Sequence, residues 1–373
     1  MQIDQITPAI WYGNDISNIV LVLQKIMKDL GCESDIFTEA MQVEERENII
    51  YHMFMGSRAA KTLAYLKSKR KVLFYHGIMP PEYFENHPVQ ISLLGGREEI
   101  KTLKNNFAFA FTTTKYLEEE LHQAGYEQTM VLPLPLDLKE YDQEPDLQLM
   151  KAYEDDYTNL LFVGQITPNK KLEDTISIFN YYHKKLNPKS RLFLVGSFSS
   201  HAGYCQKLLA LIKELQIQNV FLTGRVSIKK LLAYYRLSQV FLCMSEYEGF
   251  STPLIEAMYL KVPIIAFDRA AVPEILGGAG CLINNKDVRD TARLLDWIVN
   301  DRAKREEIIS RQSERVTDFL PEKVFPLYKK AIMEAFSCEN AEDYPQNNRH
   351  GFFTPAPWFV FPRFNRDGFR IFI

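Results

Sequence analysis

The stretch Val240 to Asp268, VFLCMSEYEGFSTPLIEAMYLKVPIIAFD, decides the fold. Val240 to Met244 is an apolar run of strand length, Ser245 to Thr252 is a small polar turn, a helix is predicted to start at Pro253, and Val262 to Phe267 is a second apolar run. Proline suits the first helical position because its missing N–H would have no partner there, and Thr252 or Ser251 before it can cap. The order of elements predicts a β-loop-α-β unit and therefore a parallel sheet. A helix N-terminus offers unpaired N–H groups and the positive end of the macrodipole, and Gly249 lets the backbone approach a ligand, so the loop suits an anion. Two acids, Glu248 and Glu256, bracket it.

Working outward, three further apolar runs each end in glycine: Leu160 to Val163 at Gly164, Arg191 to Val195 at Gly196, and Val220 to Leu222 shortly before Gly224. A helix is expected over Leu172 to Leu186. Three loops then share one carboxyl edge with the opening stretch, the edge at which open α/β sheets bind ligands. Glu256 falls in the first helical turn, where the dipole favours an acid whether or not anything binds. Glu248 stands on the loop, where an acid can accept hydrogen bonds from sugar hydroxyls. Like charges keep both from meeting a phosphate directly, so Lys170 and Arg225 are the candidate cations.

Residues 1–137 alternate strand candidates (Ser34 to Thr38, Asn48 to His52, Val72 to Tyr75, Ala108 to Thr112, Met130 to Leu134) with helical stretches at Ile16 to Leu30, Ser57 to Lys67 and Lys115 to Ala124, which predicts an α/β domain. Residues 138–158 are acidic and polar and read as an interdomain linker. The cluster Glu154, Asp155, Asp156 in it reads as solvated surface rather than a metal site. A second α/β domain is expected over 159–320, a helix crossing back to the first domain over 321–337, and an irregular tail rich in proline and aromatic residues over 338–373.

At 373 residues, two domains are expected. The formal net charge of -3 gives no whole-protein case for nucleic-acid binding. The five cysteines are scattered, with no C-x-x-C, as in a reducing compartment. No signal peptide or membrane span is read, so a cytoplasmic location is expected, with peripheral contact at the inner face of the membrane left open.

The spacing from Glu248 to Glu256, within EGFSTPLIEAM, resembles the signature of the retaining glycosyltransferases of family 4, which have the GT-B fold. FVGQITPNKKLEDTI at Phe162 to Ile176, FLVG at Phe193 to Gly196, FLTGRV at Phe221 to Val226 and PIIAFDRAAVPEILGGAG at Pro263 to Gly280 agree with that family in the same order. The resemblance implies two facing Rossmann-like domains with a central cleft. It implies transfer of a hexose from a nucleotide-diphosphate sugar to a glycan or lipid-linked acceptor, with retention of configuration, no metal ion or other cofactor, and a place in polysaccharide biosynthesis. It also implies that Glu248 contacts the donor sugar, Glu256 the ribose hydroxyls, and Lys170 the phosphates. Backbone N–H groups around Gly249, Phe250, Ser251 and Leu254 would take the diphosphate, Gly164, Gly196 and Thr252 would belong to the same donor site, and Arg225 and Val226 would lie where the base packs.

Gln165 departs from the family, which usually has an arginine there. His52 resembles the family's histidine near the donor sugar, with His76 as its rival. The loop Tyr12 to Asn18, including Gly13, Asn14 and Asp15, takes the place of the acceptor-side glycine loop but has one glycine instead of two. Alternatives are a non-catalytic nucleotide-binding subunit of a polysaccharide assembly complex, for which Gln165 argues, and a nucleotide-sugar epimerase or phosphorylase-like enzyme.

Overall fold

A computed structural model describes residues 1–10, 15–38, 46–198 and 202–337; residues 338–373, read above as a tail, lie outside the described residues. The described residues divide into two compact units: Met1–Leu136 together with Phe319–Ser337, and Asp137–Asp318.

The first unit holds a parallel six-stranded sheet of β1 (Asp4–Thr7), β2 (Ile36–Thr38), β3 (Asn48–Met53), β4 (Arg70–Tyr75), β5 (Phe109–Thr112) and β6 (Thr129–Val131), in the order β2-β1-β3-β4-β5-β6. β1 has no counterpart among the strands expected above. Its sequence, DQIT, is half polar, yet all four residues are buried. The polar groups are satisfied locally: Asp4 Oδ1 accepts from Asp35 N–H at 2.9 Å, and Gln5 Nε2 donates to Val20 O at 2.9 Å. Apolar patterning cannot reveal a strand whose buried side chains are hydrogen-bonded polar ones.

The helix Asp15–Asp29 ends as predicted at Gly31, where φ is +75°. Cys32 N–H bonds Met27 O and Gly31 N–H bonds Lys28 O, closing the helix in a Schellman motif. A further helix, Val89–Thr102, was not among those expected, because Gly95 and Gly96 interrupt its pattern. A Cβ on Gly96 would stand 2.6 Å from Gly56 N, so the helix sits against backbone there. The helix Pro321–Ser337 also belongs to this unit; Tyr328 OH donates to Leu132 O at 3.3 Å and Arg70 Nη1 to Ala335 O at 2.7 Å.

The second unit has a parallel sheet of β7 (Thr158–Val163), β8 (Ser190–Val195), β9 (Val220–Gly224), β10 (Val240–Cys243), β11 (Ile264–Phe267) and β12 (Cys281–Ile283), in the order β12-β11-β10-β7-β8-β9. Renumbered within the unit this is the 3-2-1-4-5-6 order of dinucleotide-binding sheets. The near-continuous apolar runs of β7, β8 and β10 reflect burial on both faces. The core gathers Leu160, Phe162, Leu192, Leu194, Val240, Leu242 and Ile265 beneath flanking helices.

Residues 138–158 are not a bare linker: this stretch packs on the second unit. It contains the 3-10 turn Leu138–Asp142 and the helix Leu147–Ala152, capped by Asp146. Tyr153 packs edge-on against Phe193 and Phe221, and Arg191 pairs with Asp155 while lying over Tyr153 and Tyr157. Polar composition concealed this because aromatic and cation contacts carry the packing.

Candidate active site

In the second sheet β7 and β10 are hydrogen-bonded neighbours, and the chain runs from β7 outward to β8 and β9 but from β10 outward to β11 and β12. The loops after β7 and β10 therefore flank the topological switch point, where open α/β sheets bind ligands. The glycine at the end of β8 is a steric requirement. Gly196 has φ +157°, and a Cβ there would fall 1.7 Å from Gly164 O. Gly164 N–H bonds Val195 O at 3.0 Å and Gly196 N–H bonds Gly224 O at 3.1 Å, so the three glycine-ended loops lie in register along one edge.

Lys170 ends the short 3-10 turn Pro168–Lys170. The adjacent Asn169 is fully buried; its Nδ2 donates to Tyr247 O at 3.0 Å and its carbonyl accepts from Glu246 N–H at 2.9 Å. These bonds tie the β7 loop to the β10 loop and bring Lys170 Nζ to 2.6 Å from Glu248 Oε1, with the two side chains 15% and 9% exposed. A pair this buried is costly to break from one side, because the remaining charge is left uncompensated. An ammonium has three N–H donors, so one bond to Glu248 orients Lys170 without exhausting it. A second ionic group braces the same loops: Lys286 Nζ lies 3.0 Å from Glu246 Oε1 and 2.8 Å from Asp174 Oδ2, and Lys171 Nζ is 3.5 Å from Glu246 Oε2.

The helix after the loop spans Thr252–Tyr259, one residue earlier than predicted, with Pro253 in its first turn. The expected side-chain cap is absent. Ser251 occupies the cap position in left-handed conformation (φ +79°, ψ 70°) and makes no side-chain bond to the helix, while Thr252 is already helical. A serine in this region is strained, as ligand-binding turns often are. Leu254 N–H, expected among the diphosphate donors, bonds Ser251 O at 3.1 Å. Gly249 is half-buried and Phe250 buried.

Glu256 is buried, and both its oxygens are engaged by tyrosines: Tyr141 OH at 2.5 Å from Oε1 and Tyr235 OH at 2.7 Å from Oε2. Burial and the Glu256 carboxylate push the Tyr235 phenol well above its ordinary pKa, so it remains a donor. Neither tyrosine was singled out from the sequence. Tyr141 stands 115 residues from Glu256, in the stretch read as a linker, and no local spacing signals the contact. Gln165 is exposed after Gly164; Arg225, exposed, and Val226, half-buried, follow β9 at the sheet edge.

In the first unit His52 is fully buried in β3. Its Nδ1 lies 2.9 Å from His76 Nε2 and its Nε2 lies 2.9 Å from Gln5 Oε1. Burial pulls the His52 pKa from 6.5 to about 3, and burial together with His52 holds His76 well below its ordinary value. His76, half-buried just beyond β4, is therefore the member of the pair that reaches the surface. Gln5 was missed with the rest of β1. Gly13 and Asn14 lie outside the described residues; Asp15 opens the first helix, and its side chain lies outside them. Among the described residues no group of three or more His, Cys, Asp or Glu is placed to hold a metal ion, and no helix is long and apolar enough to cross a membrane.

Residues 150–315 match the sequence model of the family Glycosyl transferases group 1. The chain is 26% identical over 146 residues to the serotype-specific mannosyltransferase WbdA of Escherichia coli, a match covering 39% of this chain but 18% of that protein's length. Among solved structures, it superimposes on sucrose-phosphate synthase of Thermosynechococcus elongatus with a TM-score of 0.73 at 17% identity, covering 90% of this chain and 100% of the other. Anabaena HepE, solved with UDP and glucose, gives a TM-score of 0.66 at 15% identity, covering 90% of this chain and 99% of the other. These likenesses show the fold, which is that of GT-B glycosyltransferases.

Proposed function

We propose that this chain, whose second unit belongs to the family Glycosyl transferases group 1, transfers a hexose from a nucleotide-diphosphate sugar to a glycan or lipid-linked acceptor with retention of anomeric configuration. The observation that carries this reading is the Lys170–Glu248 pair, 2.6 Å apart at the switch point between β7 and β10 and followed by the helix Thr252–Tyr259. Lys170 and the first turn of that helix receive the diphosphate, and Glu248 accepts from a sugar hydroxyl. Glu256, its carboxylate plane set by Tyr141 and Tyr235, faces the ribose hydroxyls. Arg225 and Val226 are assigned to the base, and the first unit to the acceptor.

In the reaction the acceptor hydroxyl oxygen bonds to the anomeric carbon as the bond from that carbon to the phosphate oxygen breaks. The electron pair leaves with the diphosphate, which takes the hydroxyl proton. Charge grows on the leaving phosphate while the sugar gains oxocarbenium character, so preset cations there lower the barrier. This reading calls on Lys170 and the helix for that charge and on no metal ion. The mannosyltransferase relative supports a hexose donor, and polysaccharide assembly at the cytoplasmic face of a membrane belongs to this proposed reading.

A thermal-shift screen against nucleotide sugars tests the donor half: a ligand at 100 times its Kd adds about 2.7 kcal/mol. Proton NMR of the product then reads the anomeric configuration. No stabilisation by any nucleotide sugar, or an inverted product, contradicts the reading. Gln165, where the family resemblance expects arginine, favours a second one, a subunit that binds nucleotide but transfers nothing. Binding without transfer to any acceptor in a broad screen would establish it.

A further inference from the structure

β1, β3 and β4 are adjacent parallel strands whose register sets Gln5 opposite Ile50 and His52 opposite Phe74. Residues two apart on a strand share a face, so Gln5, His52 and His76 step diagonally across one face of the sheet. His76 N–H bonds Met53 O at 2.9 Å and so holds the third member in the ladder. Phe74 fixes the ring planes, stacking on His52 at 5.5 Å and on His76 at 4.5 Å between centroids.

The hydrogen bonds along this diagonal have only one consistent direction. Gln5 Nε2 donates to Val20 O at 2.9 Å, which turns Gln5 Oε1 toward His52. That oxygen can only accept, so His52 Nε2, 2.9 Å away, carries a proton. A neutral imidazole has one N–H, so His52 Nδ1 is a lone pair and accepts from His76 Nε2 at 2.9 Å. Burial keeps both rings neutral. His76 Nδ1 is then the end of the relay, on a half-buried residue just beyond β4.

We propose that Gln5 and His52 are positioning residues that lock His76 in its Nε2–H tautomer, so that Nδ1 is presented at the edge of the first sheet as a hydrogen-bond acceptor for a hydroxyl of a sugar or polyol. The edge thereby favours groups that donate and disfavours groups that only accept, such as a phosphate oxygen or a carboxylate. The ligand class rests on the proposed sugar transfer; the tautomer is a property of the unliganded protein and is measurable without any substrate.

The test is long-range nitrogen–proton NMR of the imidazoles in the full chain. The expected spectrum shows His52 and His76 each as a single tautomer, with a bare Nδ1 and a protonated Nε2. A protonated His76 Nδ1, or averaging between tautomers, overturns the proposal. Gln5→Leu removes the acceptor that sets the direction, and the single-tautomer signature of His76 should be lost; an unchanged His76 spectrum in this variant also overturns it. Gln5→Met, closer in shape, replaces Gln5→Leu if that variant does not fold, and the wild-type spectrum decides in either case. A protein that binds no nucleotide sugar yet shows the locked tautomer would sink the transfer reading and leave the relay standing.

Discussion

The two sheets of this chain solve the same problem with opposite chemistry at their carboxyl edges. The second unit places charge there: a buried ammonium–carboxylate pair, a braced group of two lysines and two acids, and a helix terminus, all reached through glycines that allow backbone to touch backbone. The first unit places neutral groups there, with two histidines and a glutamine hydrogen-bonded in a row and a phenylalanine against the rings. Their sheets also differ in strand order, β2-β1-β3-β4-β5-β6 against β12-β11-β10-β7-β8-β9. A shared α/β layer architecture thus leaves the chemistry of each edge to the loops and to a few strand-end residues.

The sharpest way to break the charged edge is to separate its loops. Gly196→Val puts carbon where Gly164 O already stands, 1.7 Å from an ideal Cβ, and forces a branched residue to φ +157°. Overpacking plus backbone strain should cost about 3 kcal/mol or more, read as a fall in the urea midpoint. A variant as stable as wild type would show that the loops do not touch.

The neutral edge is probed by pH. The folded pKa of His52, about 3, lies below its ordinary 6.5, so the unfolded chain binds the proton first. The stability this confers is complete above pH 6.5 and is lost as pH falls from 6.5 toward 3. Between pH 7.5 and 5 the loss should be about 2 kcal/mol, less in His52→Asn, as measured by denaturant titration at the two values. Equal stability at both values would mean that His52 takes up its proton inside the fold.

Lys170→Ala and Glu248→Ala should each lower sugar transfer at least about ten-fold, roughly 1.4 kcal/mol of transition-state stabilisation, with the fold retained. Activity that survives either change would detach the charged edge from the chemistry. Tyr141→Phe has the smallest expected effect. It removes one of the two hydroxyls on Glu256 and should weaken nucleotide binding with a stability loss of about 1 kcal/mol, seen by calorimetry. Unchanged affinity would make Tyr141 a bystander to the proposed ribose contact of Glu256.

The legibility of these two edges in the amino-acid sequence follows from the same contrast. The second was readable because its devices are local: glycines at strand ends, two acids eight residues apart, and a strand, loop and helix in one run. What escaped was long-range, namely Tyr141 and Tyr235 on Glu256 and the aromatic packing of residues 138–158. In the first unit β1 escaped because buried Asp4 and Gln5 hide a central strand behind polar residues, and without it the partner of His52 had no place. The cap at Ser251 was misread because its backbone adopts a conformation that side-chain propensity does not encode.

The most direct test of the central claim is a calorimetric titration of wild type and Lys170→Ala with a panel of nucleotide-diphosphate sugars. The expected result is saturable binding of at least one of them by wild type and binding about ten-fold weaker by the variant, equivalent to about 1.4 kcal/mol. No binding by wild type across the panel, or equal affinity in Lys170→Ala, would contradict it.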